Sequence, residues 1–141
     1  MLANRDFLLP IRVYYEDTDA GGVVYHSKYL NFFERARTEA LRILGFEQDA
    51  LIENDDTIFA VRSIQADYLR PARFNDELVV KTHVEQLKKA SMTFVQTISR
   101  SDSDEVLCGL SALVACVSAS QLKPKAIPQN IIKQMETLRA D

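Results

Sequence analysis

The residues best suited to chemistry lie close together near the N-terminus, in the stretch VYYEDTDAGGVVYHSKYLNFFERAR, residues 13 to 37. This stretch holds Asp17, Asp19, two adjacent glycines and His26, although the whole chain has only two histidines and four glycines. A carboxylate can act as a nucleophile or a general base, and an imidazole can transfer protons. The concentration of these groups between a strand-like run and a helix-like run predicts a catalytic loop.

The same loop superficially resembles the beginning of an EF-hand calcium loop. Counted from Asp17, the third position is Asp19 and the sixth is Gly22, as the calcium pattern requires. However, Gly21 occupies the fifth position and Lys28 replaces the bidentate glutamate of the twelfth. A calcium ion would lose its strongest ligand here, so the sequence argues against a calcium site.

A helix predicted to begin just after the loop supplies the second part of an acyl-transfer site. The first turn of a helix has unpaired N–H groups and a partial positive charge. Those amides, around Val24 to Ser27, can polarise a carbonyl oxygen and stabilise the oxyanion that forms on attack. Glycine lets a loop that carries Asp19 approach closely, because it adopts conformations that a Cβ forbids.

Length and composition predict one soluble globular domain that spans residues 1–141. The chain is 47% hydrophobic and 26% charged, with a net charge of −3 at pH 7. A net acidic chain argues against nucleic-acid binding through bulk electrostatics. The sequence shows no apolar run long enough for a membrane span and no signal peptide, which predicts a cytoplasmic protein.

The cysteines and histidines do not have the spacing of a metal site. Cys108 and Cys116 lie in one predicted strand, about 26 Å apart, which is beyond the reach of a disulfide. We expect two buried free thiols. His26 and His83 are also far apart in sequence, so we predict neither a zinc site nor any other metal site.

The chain order predicts an α+β fold, in which a curved antiparallel sheet wraps around one long helix. Apolar residues recur at helical spacing from Ser27 to Leu44, and this wide stripe indicates a helix that is largely enclosed. Strands are predicted over residues 8–16, 57–70, 76–87, 91–100 and 105–118, and shorter helices over 47–54 and 128–139. The last strand is apolar on both faces, which predicts an interior place in the sheet and an apolar surface that one chain cannot cover.

The pattern Y-x-D-T-D-x-x-G-x-V-Y-H-x-x-Y-L-x-x-F-E-x-A-R, from Tyr15 to Arg37, resembles the 4-hydroxybenzoyl-CoA thioesterase family. The closest likeness is to its Tol–Pal-associated acyl-CoA thioesterase branch. The resemblance continues through YLRPARFNDEL (68–78) to LKPKAIP (122–128). It implies a hotdog fold, here with a five-stranded antiparallel sheet around a long central helix. It also implies hydrolysis of acyl-CoA thioesters without a cofactor, by a homodimer or homotetramer.

The resemblance also assigns site residues. The family's catalytic aspartate falls on Asp19, as nucleophile or general base, and its oxyanion-binding amides fall near Tyr25 and His26, with Gly22 in the loop. His26 is expected to position the substrate or handle a proton, and a structural hydrogen bond is the alternative. Tyr15 is a candidate acid or a wall of the site. An aspartate before a helix can also be a simple N-cap.

Two further residues are candidates for binding the phosphates of coenzyme A. Because the protein is net acidic, an anionic ligand needs a local basic cluster, and Lys88 and Lys89 in a predicted tight turn are the first choice. Arg70 and Arg73 are the next choice. Asp17, the first aspartate of the loop, is expected to hold the loop by hydrogen bonds.

Other functions of the hotdog fold fit the sequence less well. A dehydratase of this fold has a histidine in proline-rich surroundings with a partner glutamate, which DTDAGGVVYH lacks. A regulator needs a second domain. The alternative that stays open is a scaffold with weak or no turnover that binds acyl carrier protein or phospholipid-synthesis enzymes.

Overall fold

The structure, a computed structural model, describes residues 1–139 and forms a single antiparallel sheet with helices packed against it. The strands are β1 (Leu2–Ala3), β2 (Asp6–Arg12), β3 (Thr57–Tyr68), β4 (Glu77–Leu87), β5 (Ser91–Arg100) and β6 (Val106–Ser118), and the helices are α1 (His26–Ile43), α2 (Gln48–Asp55) and α3 (Gln129–Met135). Their order across the sheet is β1-β2-β4-β5-β6-β3. This is the predicted hotdog arrangement of a sheet around a long helix.

Helix α1 lies against one face of the sheet, and the core lies between them. Its buried residues recur at spacings of three and four, which places them on one side of the helix: Tyr29, Phe32, Phe33, Ala36, Arg37, Ala40 and Leu41. The facing side chains of β5 alternate in the same way, with Met92, Phe94, Gln96 and Ile98 buried. The helix ends where predicted, because Gly45 has a φ of 101° that favours glycine.

The predicted interior place of the last strand is confirmed. β6 lies between β5 and β3, so it is an interior strand. Cys108 and Cys116 are both buried in it as free thiols. Burial raises the pKa of the Cys108 thiol to about 12.

The sheet has six strands rather than the predicted five. The additional strand, β1, pairs with the beginning of β2, with Leu2 opposite Phe7. Asn4 and Arg5 connect the two strands with positive φ values of 52° and 66°. A turn with positive φ values usually contains glycine. This turn has none, so the hairpin left no signal in the sequence.

The prediction of a strand over residues 8–16 is wrong at its C-terminal end. β2 ends at Arg12, and residues Tyr15–Asp17 form one turn of 3-10 helix. The carboxylate of Asp17 accepts a hydrogen bond from the N–H of Tyr14 at 2.8 Å, and this contact favours a turn over a strand.

The C-terminal helix is shorter than predicted. α3 is followed by a 3-10 turn over Glu136–Leu138, and both segments bury apolar side chains, including Ile131 and Leu138. In residues 1–139, no helix combines the length and the apolar character needed to cross a membrane.

Candidate active site

The aspartate loop, residues 13–25, connects β2 to α1 and is fixed at both ends by main-chain hydrogen bonds. At its beginning, Val13 exchanges two 3.0 Å hydrogen bonds with the segment 75–76. Near its end, the N–H of Val24 donates to the carbonyl of Ala72 at 2.8 Å. The loop is therefore held against the segment that precedes β4, which is distant in sequence.

A tight turn at the tip of the loop presents Asp19. The N–H of Gly22 donates to the main-chain carbonyl of Asp19 at 3.0 Å, and the N–H of Asp19 donates to Val23 at 2.9 Å. Gly22 has a φ of 79°, a conformation that other residues adopt only with strain. This is the physical reason for a glycine at that position.

The side chain of Asp19 is exposed and oriented. Its Oδ1 atom accepts a 2.9 Å hydrogen bond from the N–H of Gly21, while Oδ2 has no hydrogen-bond partner among residues 1–139. One oxygen therefore fixes the carboxylate and the other is free to react with a substrate or a water molecule. Asp17 differs, because it is 5% exposed and its carboxylate is used to hold Tyr14.

The first turn of α1 offers two free amides. The N–H of Tyr25, which had been predicted to bind an oxyanion, instead donates to the carbonyl of Asp17 at 2.9 Å. The N–H of Lys28 donates to the carbonyl of Tyr25 at 2.8 Å. Only His26 and Ser27 in this turn have N–H groups with no acceptor in the described part of the chain. Both lie at the N-terminus of the helix, where the helix dipole gives a partial positive charge.

A cavity of about 240 Å³ opens beside this helix end. Its lining includes His26 and Tyr29 of α1 and the segment from Tyr68 to Pro71 that follows β3. Asp19 is not part of its lining, so within the described chain the loop carboxylate and this cavity are separate features. The imidazole of His26 lies against the ring of Tyr25, with ring centroids 4.4 Å apart.

Two tyrosines that the sequence did not single out as site residues, Tyr29 and Tyr68, line this cavity. The hydroxyl of Tyr68 donates to the main-chain carbonyl of His26 at 3.1 Å, and the hydroxyl of Tyr29 accepts from the N–H of Ala72 at 2.9 Å. Their rings meet edge to face, 5.5 Å apart. Burial raises the pKa of both hydroxyls, so both stay protonated at neutral pH. Their places in the motifs Y-L-x-x-F and YLRPARF were the available signal.

The structure does not bring Tyr15 into contact with the carboxylate of Asp19. Tyr15 is 80% exposed, and its ring packs edge to face on Phe74 at 5.9 Å. Its hydroxyl forms no hydrogen bond within residues 1–139. Tyr15 is therefore a surface residue of the loop.

Lys88 and Lys89 are exposed in the turn between β4 and β5. The aspartate loop adjoins the other end of β4, because Arg12 at the end of β2 pairs with Glu77. Eleven strand residues separate the two ends of β4, which corresponds to about 35 Å. Within the chain the two lysines are therefore far from Asp19, whereas Arg70 lines the cavity itself.

The described residues contain no group of three or more histidine, cysteine, aspartate or glutamate side chains that could hold a metal ion. The polar groups that the site does offer are a carboxylate, an imidazole, two free amides and tyrosine hydroxyls. Such a set can attack a carbonyl carbon and stabilise the resulting oxyanion without a metal.

The chain is similar to bacterial proteins that are named as acyl-CoA thioesterases. It is 45% identical over 130 residues to the acyl-CoA thioesterase YbgC of Haemophilus influenzae. The match covers 92% of this chain and 94% of that protein. It is 42% identical over 130 residues to the acyl-CoA thioester hydrolase YbgC of Escherichia coli, with coverage of 92% and 96%.

A solved structure and a family model agree with these relatives. The structure of a probable thioesterase from Bartonella henselae matches with a TM-score of 0.82 and 33% identity, over 87% of this chain and 99% of that chain. Residues 21–107, which include the end of the aspartate loop and α1, match the model of the thioesterase superfamily. The chain belongs to the thioesterase superfamily, as the motif from Tyr15 to Arg37 predicted.

Proposed function

We propose that this protein hydrolyses acyl-CoA thioesters to the free acid and coenzyme A, with Asp19 as nucleophile or general base. The observation that carries the proposal is the pair of free amides at His26 and Ser27, which follow in the same loop–helix segment an exposed carboxylate, Asp19, with one unpaired oxygen. The names of the relatives from H. influenzae and E. coli support the substrate class.

The reaction can follow one of two routes. As a nucleophile, Oδ2 of Asp19 attacks the thioester carbon, the thiolate of coenzyme A leaves, and water then hydrolyses the acyl–aspartate anhydride. As a general base, the carboxylate removes a proton from a water molecule that attacks the same carbon. In both routes the carbonyl oxygen becomes an oxyanion, which the amides of His26 and Ser27 stabilise.

The complete site is proposed to form between two copies of the chain. β3 is a twelve-residue strand at one edge of the sheet, and it has no partner on its outer side in the described chain. Val61, Ile64 and Tyr68 on this strand are 47%, 41% and 48% exposed. A long apolar edge strand is a template for pairing with another chain, and antiparallel pairing of two β3 strands gives a symmetric dimer.

In such a dimer, Lys88 and Lys89 of one chain would lie near the site of the other chain. Antiparallel pairing of β3 strands reverses the second sheet, so that the partner's β4–β5 turn lies at the same end of the assembly as the N-terminus of α1. Two intervening strands separate β3 from β4, so the turn is offset sideways by about 15 Å. We therefore propose that Lys88 and Lys89 bind phosphates of coenzyme A held at the partner's site.

The alternative is a scaffold that binds acyl carrier protein or phospholipid-synthesis enzymes with weak or no turnover. The test is incubation with a chain-length series of acyl-CoA thioesters and a thiol reagent that detects released coenzyme A. Turnover that is abolished by Asp19→Asn supports the proposed function. Absence of turnover with every thioester supports the scaffold. The predicted cytoplasmic location and link to the Tol–Pal system remain predictions.

A further inference from the structure

Arg37, the last residue of the family motif, has no role in the chemistry described above, and its position is unusual. It is a charged side chain with only 8% of its surface exposed. Its Nη1 atom donates to Oε1 of Gln96 at 2.9 Å. The amide nitrogen of Gln96 is also hydrogen-bonded. Its Nε2 atom donates to the carbonyl of Phe33 and to the hydroxyl of Thr82, both at 2.9 Å.

The guanidinium of Arg37 forms no close ion pair in the described part of the chain. In residues 1–139, no carboxylate lies within 4.0 Å of it, and burial lowers its pKa while the more distant Glu34 opposes this effect. A guanidinium has five N–H donors, of which one is used. Since no fully enclosed side-chain nitrogen or oxygen in the described chain lacks a partner, the unused donors are those that contact open space.

Arg37 lines a cavity of about 60 Å³ between α1 and the sheet. Its walls are mainly apolar and include Phe59, Phe94 and Val114, while Arg37, Glu34 and Thr38 line the helix side. An unpaired charge against apolar walls is costly unless a ligand or water completes its hydrogen bonds. A purely structural position would be filled better by an apolar residue.

An acyl group held at the amides of His26 and Ser27 would reach this cavity by extending along α1. Tyr68, at the end of β3, contacts His26, and Phe59, near the start of β3, lines the cavity beside Arg37. β3 therefore runs from the first turn of α1 to the wall of this cavity. Arg37 follows His26 by three helical turns, about 16 Å, and its side chain leans back toward the N-terminus, which shortens the distance.

We infer that Arg37 determines acyl specificity by binding an oxygen atom at the far end of the acyl group. This inference rests on the proposed function, because it takes the acyl carbon to be held at the amides of His26 and Ser27. The preferred substrates are acyl-CoA thioesters with a hydroxyl or keto oxygen distant from the thioester. A terminal carboxylate is less suitable, because Glu34 lines the same cavity and would repel it.

The first test uses the wild-type protein and two substrate series. One series is straight-chain acyl-CoA from butanoyl to dodecanoyl, and the other is the matching ω-hydroxyacyl-CoA. We expect kcat/KM for the hydroxyacyl member to exceed that of its partner by about tenfold or more at one chain length, as for other buried charged hydrogen bonds. Equal values at every length overturn the inference and leave the thioesterase proposal standing. Absence of any turnover overturns both.

The second test removes the donors. Arg37→Met keeps the length of the side chain without its N–H groups, so the hydroxyacyl advantage is expected to fall to within about twofold, while plain acyl-CoA is still hydrolysed. Arg35→Met is the matched control, since Arg35 lies on the exposed side of the same helix, over the ring of Phe32. It is expected to keep the full preference. A folded Arg37→Met protein with an unchanged preference overturns the inference.

Arg37→Lys covers the case in which the methionine variant does not fold. Lysine keeps the charge for Gln96 but lacks the planar fork of donors, so the hydroxyacyl preference is expected to fall by about threefold or more. A folded lysine variant with the wild-type preference would overturn the inference.

Discussion

The N–H group of Tyr25 donates a 2.9 Å hydrogen bond to the main-chain carbonyl of Asp17. This bond joins the 3-10 turn of the aspartate loop to the residue that precedes α1, so it fixes where the helix begins. It also removes one amide from the candidates for binding an oxyanion. The role passes to the next two amides, those of His26 and Ser27, and this leads to a test of a single N–H group.

His26→Pro and His26→Ala separate the amide of His26 from its imidazole. Proline is tolerated at the first helical position, and Tyr25 already has the extended conformation that precedes proline, with φ −66° and ψ 139°. If the amide binds the oxyanion, kcat for the proline variant should be lower than that of the alanine variant by a factor of about 10²–10³. Steady-state hydrolysis of one acyl-CoA measures the difference. Equal kcat values would remove the amide from the mechanism.

The imidazole of His26 is tested by His26→Ala against the wild type. We expect kcat/KM to fall by about tenfold or more, while the melting temperature changes by only about a few degrees, because the ring is exposed and forms no hydrogen bond within residues 1–139. Thermal unfolding by circular dichroism accompanies the kinetics. A large loss of stability with unchanged activity per folded molecule would indicate a structural role instead.

Asp19→Asn should lower kcat by about 10²–10⁴, because the amide is neither a nucleophile nor a base of comparable strength. The fold should survive, since the side chain is exposed and its contact with Gly21 can be kept by the amide oxygen. Asp17→Asn is the matched control. It should lower activity less and lower the melting temperature more, because Asp17 is buried and holds Tyr14. Near wild-type turnover in a verified Asp19→Asn sample would exclude Asp19.

Lys88→Ala with Lys89→Ala should raise KM for acyl-CoA with little change in kcat. Raising salt from about 0.05 to about 0.5 M should do the same to the wild type, because it screens binding of the phosphates. The double variant should respond less to salt. An unchanged KM would exclude these lysines and direct attention to Arg70 in the cavity wall.

Mixing the Asp19→Asn variant with the double lysine variant, each of which is poorly active at low substrate concentration, tests whether the lysines act across the dimer. Mixed dimers of Asp19→Asn with the double lysine variant contain one site with Asp19 from one chain and both lysines from the other. Activity at low substrate concentration should therefore recover after the chains are exchanged. If the lysines served their own chain, no site would be complete and no activity would return.

Ile64→Lys should prevent dimer formation and abolish activity, because it places a charge on the apolar edge of β3. Gln65→Lys, one residue further on and on the opposite face of the strand, should leave the dimer intact. Analytical ultracentrifugation gives the assembly state of each variant. An active monomer would contradict a site built from two chains.

Cys108 should be inert toward thiol reagents in the folded protein. Burial raises the pKa of its thiol to about 12, so almost no thiolate exists at pH 8. Folding favours the protonated thiol, so this group stabilises the folded state. The contribution to the free energy of unfolding is complete below the thiol's ordinary pKa of 9.0, and it is lost as the pH rises from 9.0 to about 12. Mass spectrometry after alkylation, with and without denaturant, measures the protection. Rapid alkylation of native protein at pH 8 would contradict the buried position.

Local signals in the sequence were sufficient for most elements. The apolar period predicted a helix from Ser27 to Leu44 and the structure has His26–Ile43, while the strand predicted over residues 91–100 has the same bounds in β5. These features depend on neighbours in the chain, because side-chain periodicity decides which face is buried. The motif around Asp19 likewise identified the family from sequence alone. The turn at the tip of the loop needs a glycine three residues after Asp19, so its geometry leaves a fixed spacing in the sequence.

Tertiary structure alone decided which distant groups meet. The hydroxyl of Tyr68 reaches the first turn of α1, and Ala72 meets both the loop and Tyr29, through contacts that no local pattern encodes. Arg37 is the clearest case, because a charged residue in a helix is normally solvated and nothing near it in the sequence indicates burial. Its burial depends on Gln96 of β5, whose amide provides the hydrogen bond that makes an enclosed guanidinium tolerable.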